Sequence, residues 1–151
     1  HNFGAIIRTA NVCGAHGVIV KKNGSAPISE VVVKASAGAI NYTPVARVTN
    51  LSDTINKLKD EGLWFYAACG EGQDMYSLKM NGPIGLVIGS EGKGISERVK
   101  SVCDFTVSIP MKGDIDSLNA SVAAGVLCYE IIRQRGKWEY RGGKERRCLI
   151  S

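Results

Sequence analysis

The apolar residues of the chain follow two alternating patterns. Short runs in which nearly every residue is apolar predict strands buried on both faces, whereas apolar residues three or four positions apart predict amphipathic helices. The predicted strands cover residues 17–20, 44–48, 63–68, 85–88 and 105–109, and the predicted helices cover residues 2–13, 29–37, 50–61, 95–102 and 117–135.

This alternation predicts an α/β fold in which a parallel sheet is flanked by helices. Sheets of this kind bind ligands in the crevice at the carboxyl ends of their strands. We therefore expect the chemistry in the loops that follow Ile88 and Ile109. No linker or internal repeat divides residues 1–135, so we assign them to one domain and residues 136–151 to a C-terminal tail.

Composition narrows the class of protein. The chain has 151 residues, of which 44% are hydrophobic, so it can bury a core. It contains no apolar run near the roughly 20 residues that cross a membrane, and nothing in it resembles a signal peptide. We expect a soluble, cytoplasmic protein without membrane contact. The chain begins at His1 without an initiator methionine, and we expect it to be part of a longer protein.

The cysteines argue against a metal site. The chain has five, none of them in a CxxC pair, and only two histidines, His1 and His16. Because zinc sites need clustered Cys or His ligands, we predict no metal, and we expect reduced, structural cysteines.

The net charge of +5 is concentrated near the C-terminus. Residues 130–151 carry seven basic and three acidic side chains, whereas residues 1–129 carry twelve and eleven. A basic end favours attraction to a phosphate backbone. A solvated terminus explains the same charge equally well.

The first candidate site is the glycine-rich turn 89–94, directly after a predicted buried strand. Its glycines allow the backbone to approach a ligand closely. The order G-x-x-G-x-G differs from the dinucleotide fingerprint and from the phosphate loop. A tight strand-to-helix turn alone would also explain it, although Glu91 then needs solvent or a partner.

The second candidate is the segment 109–121. Pro110 ends a strand, Gly113 permits a turn, and Ser117 or Asn119 caps the helix that follows. Capping explains one of these polar residues but not Ser117, Asn119 and Ser121 together. The third candidate is the pair Asn2 and Arg8, for which a surface position of Arg8 is the plain alternative.

These three segments resemble the three motifs of the SpoU/TrmH branch of the SPOUT methyltransferases. They occur in the order of that family and cover the chain from Asn2 to about Arg135. The matching blocks are Asn2-x-Gly4-x-x-x-Arg8-Thr-Ala, Leu86-Val-Ile-Gly-Ser-Glu91-Gly-x-Gly94 and Ile109-Pro-Met-x-Gly113-x-x-x-Ser117-Leu-Asn119-x-Ser121-Val-Ala.

The resemblance implies a fold, a cofactor and an assembly. It implies a C-terminal deep trefoil knot, which periodicity alone would not suggest because threaded chains are rare. It implies S-adenosylmethionine as cofactor, RNA as substrate, a homodimer, and an N-terminal RNA-binding domain, which we expect to be missing from this chain. Backbone groups around Gly89, Ile109 and Leu118 would hold the cofactor. We extend this pocket to Leu86, Met111, Gly113 and Asn119.

The resemblance also implies catalytic positions. Arg8 matches the catalytic arginine of the family, and Asn2, Glu91, Ser117 and Asn119 match its other functional polar positions. Methyl transfer from a sulfonium to a ribose 2′-oxygen depends largely on orientation. Arg8 is a poor base because a guanidinium stays protonated. Our hypothesis is that Arg8 binds the adjacent phosphate or the developing oxyanion.

Two other functions fit the sequence less well than methyl transfer. A catalytically silent RNA-binding module has no need of Arg8, Glu91, Ser117 and Asn119 together. A nicotinamide-dependent oxidoreductase is disfavoured by the glycine order and by the lack of a suitably placed acidic residue. Within the family, the segment 2–135 looks closest to bacterial enzymes that methylate a guanosine ribose of 23S ribosomal RNA. Transfer-RNA enzymes share the motifs and remain the alternative.

Overall fold

The structure is a computed structural model that describes residues 2–22, 30–90, 92–136 and 147–150, with side chains for all of these except 30–32 and 147–150. A short 3-10 helix covers Ala39–Asn41. The helices are α1 (Asn2–Val12), α2 (Glu30–Ala35), α3 (Leu51–Asp60), α4 (Glu97–Val102) and α5 (Ala120–Arg135), and the strands are β1 (Gly17–Lys21), β2 (Val45–Val48), β3 (Trp64–Asp74), β4 (Ile84–Val87), β5 (Phe105–Ser108) and β6 (Arg147–Ile150).

The strands form one sheet in the order β2-β1-β6-β4-β3-β5, and all of its pairs are parallel. The predicted parallel sheet is therefore confirmed. β6 was not predicted, because its apolar run is only three residues long and follows a basic stretch. It lies between β1 and β4, so this part of the expected tail belongs to the sheet. The domain division at residue 135 and the trefoil knot stay predictions.

β3 is much longer than the predicted strand 63–68. Its extension, residues 69–74, is polar and glycine-rich, which hid it from an apolar pattern. The extension continues to pair with β5 after a register shift between Ala68 and Gln73. Gly72 allows this, because a Cβ there would lie 2.6 Å from the backbone nitrogen of Val107.

α5 begins three residues later than predicted. Asn119 is its N-cap, and the Asn119 side chain accepts hydrogen bonds from the Ser121 backbone nitrogen (2.9 Å) and from the Ser121 hydroxyl (2.7 Å). The cap residue has extended backbone angles, as caps do. Ser117 and Leu118 consequently lie in the loop before the helix.

Helices cover both faces of the sheet. On one face, α1 and α5 pack together over a core that includes Ile7, Leu86 and Leu127. On the other face, α3 and α4 cover a smaller core around Ile55 and Phe65. All four residues of β4 are buried, which explains why this strand reads as a continuous apolar run in the sequence.

A polar cluster joins the end of α5 to the loop after β3. The carboxylate of buried Glu130 accepts hydrogen bonds from Arg133 Nη2 (2.6 Å) and Gln134 Nε2 (3.1 Å). Gln134 Nε2 also donates to the Leu78 carbonyl (2.8 Å), and the Met80 nitrogen donates to Gln134 Oε1 (2.6 Å). These bonds fix the C-terminal half of α5, which places its N-terminal half beside the candidate site.

Replacing Glu130 with Gln should destabilise the fold by about 1–3 kcal/mol at pH 7, because hydrogen bonds to a charged, buried group are removed. The Arg133 hydrogen bonds lower the pKa of Glu130 against the opposing effect of burial. The ionised carboxylate therefore stabilises the folded state above its unfolded pKa of about 4.3, and this contribution disappears as pH falls through the lower folded pKa. Urea unfolding at pH 7 and in the acid range measures the effect.

The matched control is Glu97→Gln. The Glu97 side chain is 91% exposed and its pair with Lys100 spans 3.4 Å, so we expect about 0.5 kcal/mol or less. An advantage of wild type over Glu130→Gln that stays constant down to the lowest pH would contradict the prediction.

Candidate functional site

A cavity of about 840 Å³, here called the first cavity, opens where β4 and β5 end and α5 begins. This is the end of a parallel sheet at which ligands are expected. Its floor includes Ala68 of β3 and Val107 of β5, and its walls come from the two loops singled out in the sequence. The predicted site residues that line it are Gly89, Ile109, Met111, Ser117, Leu118 and Asn119.

The glycine-rich turn folds back on itself. The Gly94 nitrogen donates to the Ser90 carbonyl (2.9 Å), and the two residues form an isolated antiparallel bridge. A Cβ on Gly89 would lie 2.5 Å from the carbonyl carbon of Gly94, closer than real Cβ atoms approach. Gly94 itself has φ +66°, a conformation that favours glycine. The turn itself therefore requires these glycines, and their lack of side chains exposes backbone groups to the cavity.

The loop between β5 and α5 forms the opposite wall. Residues 110–119 are all exposed, and those that line the first cavity include Met111, Asp116 and Leu118. Exposed loop backbone has polar groups available for a ligand. The wall therefore suits a ligand that is recognised largely by main-chain hydrogen bonds.

A second cavity of about 680 Å³ lies on the other side of the glycine-rich turn. It is bounded by the N-terminus of α1 with Asn2, the end of β1 with Lys21, the start of α3 with Ser52, and α4 with Arg98. The two cavities share a wall made of Ile88, Gly89, Ser90, Gly94 and Ala120.

The other predicted positions lie elsewhere. Leu86 is only 1% exposed and packs in the core, and Gly113 lies on the exposed loop without lining either cavity. Arg8 lies on the exposed face of α1 and lines neither cavity. Glu91 lies outside the described residues. Roles of these residues in binding or catalysis stay predictions.

The two cavities differ in charge. Among the described residues that line the first cavity, Asp116 is the only charged side chain. The described lining of the second cavity includes Lys21, Lys93 and Arg98 and no carboxylate. The first cavity therefore suits a cationic group, and the second suits an anionic one.

The structure adds residues that the sequence analysis did not select. Ala68, Cys69 and Gly70 line the first cavity because β3 runs past its predicted end. Lys93 and Arg98 line the second, and their only signal in the sequence is a position within or just after the glycine-rich turn. Their location at one cavity can be recognised only once the positions of α3 and α4 are known.

None of the described cysteine side chains is in a disulfide: Cys13, Cys69, Cys103 and Cys128. Burial, together with the nearby Asp104, raises the pKa of Cys103 to about 11, so its thiolate is scarce near neutral pH. Among the described residues, no three His, Cys, Asp or Glu side chains are grouped as metal ligands would be. No helix in the described ranges is both long and apolar enough to cross a membrane.

Comparison with known proteins gives a consistent result. Residues 1–129 match the family model described as the SpoU rRNA Methylase family. YacO of Bacillus subtilis (strain 168), named as a putative TrmH family tRNA/rRNA methyltransferase, is 48% identical over 136 residues, which are 89% of this chain and 55% of YacO.

Two solved structures are similar as well. The SpoU methyltransferase AviRb from Streptomyces viridochromogenes, in complex with AdoMet, aligns with a TM-score of 0.82 and 34% identity over 90% of this chain and 54% of AviRb. The TrmH/SpoU tRNA modifying enzyme of A. aeolicus aligns with a TM-score of 0.80 and 30% identity over 90% of this chain and 70% of that enzyme. The chain spans about half the length of YacO and AviRb. With its sheet, its glycine-rich turn and its third motif arranged around one cavity, the chain belongs to the SpoU rRNA methylase family.

Proposed function

We propose that this chain is the catalytic part of a methyltransferase that moves a methyl group from S-adenosylmethionine to a ribose 2′-hydroxyl of RNA. The observation that carries the proposal is the first cavity, whose opposite walls are built from the second and third family motifs. Its volume of about 840 Å³ suits a ligand of this size. The AviRb structure holds the same cofactor.

The residues present fit the cofactor. The turn at Gly89, which has no room for a Cβ, presents backbone on one side of the cavity, and the exposed loop with Met111 and Leu118 forms the other side. Asp116 is a favourable neighbour for a cationic group. When bound, S-adenosylmethionine supplies an electrophilic methyl on a sulfonium.

The chain contributes orientation rather than covalent chemistry. The attacking 2′-oxygen gives its proton to solvent water as the new carbon–oxygen bond forms. The carbon–sulfur bond breaks with its electron pair left on sulfur, so that S-adenosylhomocysteine is the leaving group. Holding donor and acceptor in adjoining cavities, so that they meet at the edge of the shared wall, aligns this displacement, and such alignment supplies as much as roughly 7–11 kcal/mol. Asn2 in the second cavity and Ser117 and Asn119 in the first are placed to orient the reacting groups.

As the RNA, we propose 23S ribosomal RNA with a guanosine as the methylated nucleotide. The support is the resemblance of the segment 2–135 to the bacterial enzymes with that target. Transfer RNA is the alternative, and both kinds of RNA occur among the names of the relatives.

The chain should transfer labelled methyl from S-adenosylmethionine to unmodified ribosomal RNA, and digestion should yield 2′-O-methylguanosine. Gly89→Ala should weaken cofactor binding in calorimetry by at least about tenfold, since the added Cβ collides with backbone. Gly82→Ala, where a Cβ has nothing within 4 Å, should bind as wild type does. Methyl found only on transfer RNA would overturn the target, and no methyl on any RNA would overturn the activity.

Arg8 is proposed as the residue that binds a phosphate beside the target nucleotide. Arg8 is exposed and lies outside both cavities. Of the two groups in our hypothesis, this position favours the phosphate over the oxyanion, because an RNA strand extends well beyond a cavity of about 680 Å³. A guanidinium binds phosphate through two parallel hydrogen bonds, which an ammonium does not reproduce.

Arg8→Lys should retain about a hundredth to a tenth of the methyl transfer rate, as expected when a charge-assisted interaction is removed, while cofactor affinity stays unchanged. The control is Arg47→Lys on β2, which lines neither cavity. Full activity of Arg8→Lys in a labelled-methyl assay would rule out this role.

A homodimer is proposed through the outer face of α5. Val122 and Tyr129 lie two helical turns apart and are 50% and 48% exposed, and Ile115 and Leu118 of the preceding loop are exposed too. The other face of α5 packs on α1. Clustered exposed apolar side chains are typical of an interaction surface.

Val122→Glu combined with Tyr129→Glu should shift the protein from dimer to monomer in sedimentation velocity, because charges would be buried without partners. Tyr42→Glu, at an 82% exposed position elsewhere, should leave the sedimentation coefficient unchanged. A monomeric wild type, or a double variant that remains dimeric, would contradict the proposal.

A further inference from the structure

The second cavity is lined by cationic side chains to which the family resemblance assigns no role. Lys93 and Arg98 reach it from the glycine-rich turn and from α4. Both are exposed, and neither forms an ion pair with a described residue. Two cations held at one cavity without a carboxylate in its described lining attract a negatively charged group.

The start of α3 points at the same cavity. Thr49, Asn50, Leu51 and Ser52 all line it. Asn50 caps the helix by accepting a hydrogen bond from the Asp53 nitrogen (3.1 Å). The first two helical nitrogens, those of Leu51 and Ser52, have no partner within the helix. Such nitrogens, at the positive end of the helix dipole, are suited to an anion.

Ser52 provides an independent indication. The residue is 5% exposed, lines the cavity, and its hydroxyl makes no hydrogen bond with any described residue. The hydroxyl is therefore available to a ligand oxygen in the cavity.

We infer that Lys93, Arg98, Ser52 and the N-terminus of α3 bind a phosphate of the RNA strand next to the nucleotide that is methylated. The inference rests on the proposed function, because the shared wall at Gly89 and Gly94 sets this anion site directly beside the first cavity. A phosphate here would fix the strand so that the ribose reaches the methyl donor at the edge of the turn.

The test is binding of a single-stranded RNA oligonucleotide to the chain by fluorescence anisotropy over a range of salt concentrations. For single strands, the slope of log affinity against log salt falls by about 0.7 for each phosphate that the protein no longer neutralises. The double variant Lys93→Ala/Arg98→Ala should therefore have a slope that is shallower by about 0.7, for one phosphate. It should also have a higher KM for RNA. Ser52→Ala should weaken binding by about tenfold, as removal of a hydrogen bond to a charged group does, with an unchanged slope.

The matched control removes the same charge elsewhere. Lys57 and Lys79 are exposed and line neither cavity, so Lys57→Ala with Lys79→Ala should keep the slope of wild type. Cofactor affinity, measured by calorimetry, should be equal in all variants. Equal thermal melting of Ser52→Ala and wild type would show that its weaker binding does not come from unfolding.

The outcomes separate the two proposals. If wild type methylates RNA but the Lys93/Arg98 variant keeps its slope and KM, the phosphate site is wrong and the methyltransferase function stands. A variant that loses affinity for inorganic phosphate or guanosine monophosphate but not for RNA would also overturn the site as an RNA-binding site. If wild type binds S-adenosylmethionine yet transfers no methyl to RNA, the proposed function itself fails.

Discussion

The close approach of Gly89 to Gly94 is the constraint on which the site depends. With a hypothetical Cβ only 2.5 Å from the Gly94 carbonyl carbon, the chain can reverse at this point only without a side chain. The reversal brings the end of β4 back as a thin wall whose two sides face two cavities. A thicker turn would separate the cavities by the length of a side chain. Methyl transfer requires reacting atoms within about 3–3.5 Å, closer than any backbone between them permits. We therefore propose that donor and acceptor meet at the edge of the wall, where the two cavities adjoin.

The opposite wall is set by where α5 begins. Because Asn119 caps the helix, the backbone of residues 110–119 stays out of regular structure and is exposed beside the first cavity. A helix that began at Ser117 would bind part of this backbone to itself and withdraw it from a ligand. The same side chain that the family resemblance selects as functional therefore also determines the shape of the loop. The cap uses the Oδ1 atom of Asn119, which accepts from both the backbone nitrogen and the hydroxyl of Ser121.

The sequence predicted the parallel sheet and most of its elements because buried parallel strands are apolar at nearly every position. It missed the end of β3 because a strand segment rich in glycine and charge has no such signature. It missed β6 because the apolar run of that strand is only three residues long. The first cavity was largely foreseen from the third motif and the glycine-rich turn. The second was not, because Ser52 and Arg98 are far apart in the chain and neither residue is unusual in its local pattern. Only the packing of α3 and α4 on the same face brings them to one cavity.

The two cavities differ in charge, and this difference determines which ligand each of them favours. A sulfonium donor carries positive charge and the RNA strand carries negative charge, and the described linings hold a lone carboxylate on one side and three cations on the other. Opposite charges favour each ligand in its own cavity, and like charges disfavour the exchange of the two. Binding selectivity and orientation are thus obtained from the same few side chains, without a histidine in the described lining of either cavity to act as a base.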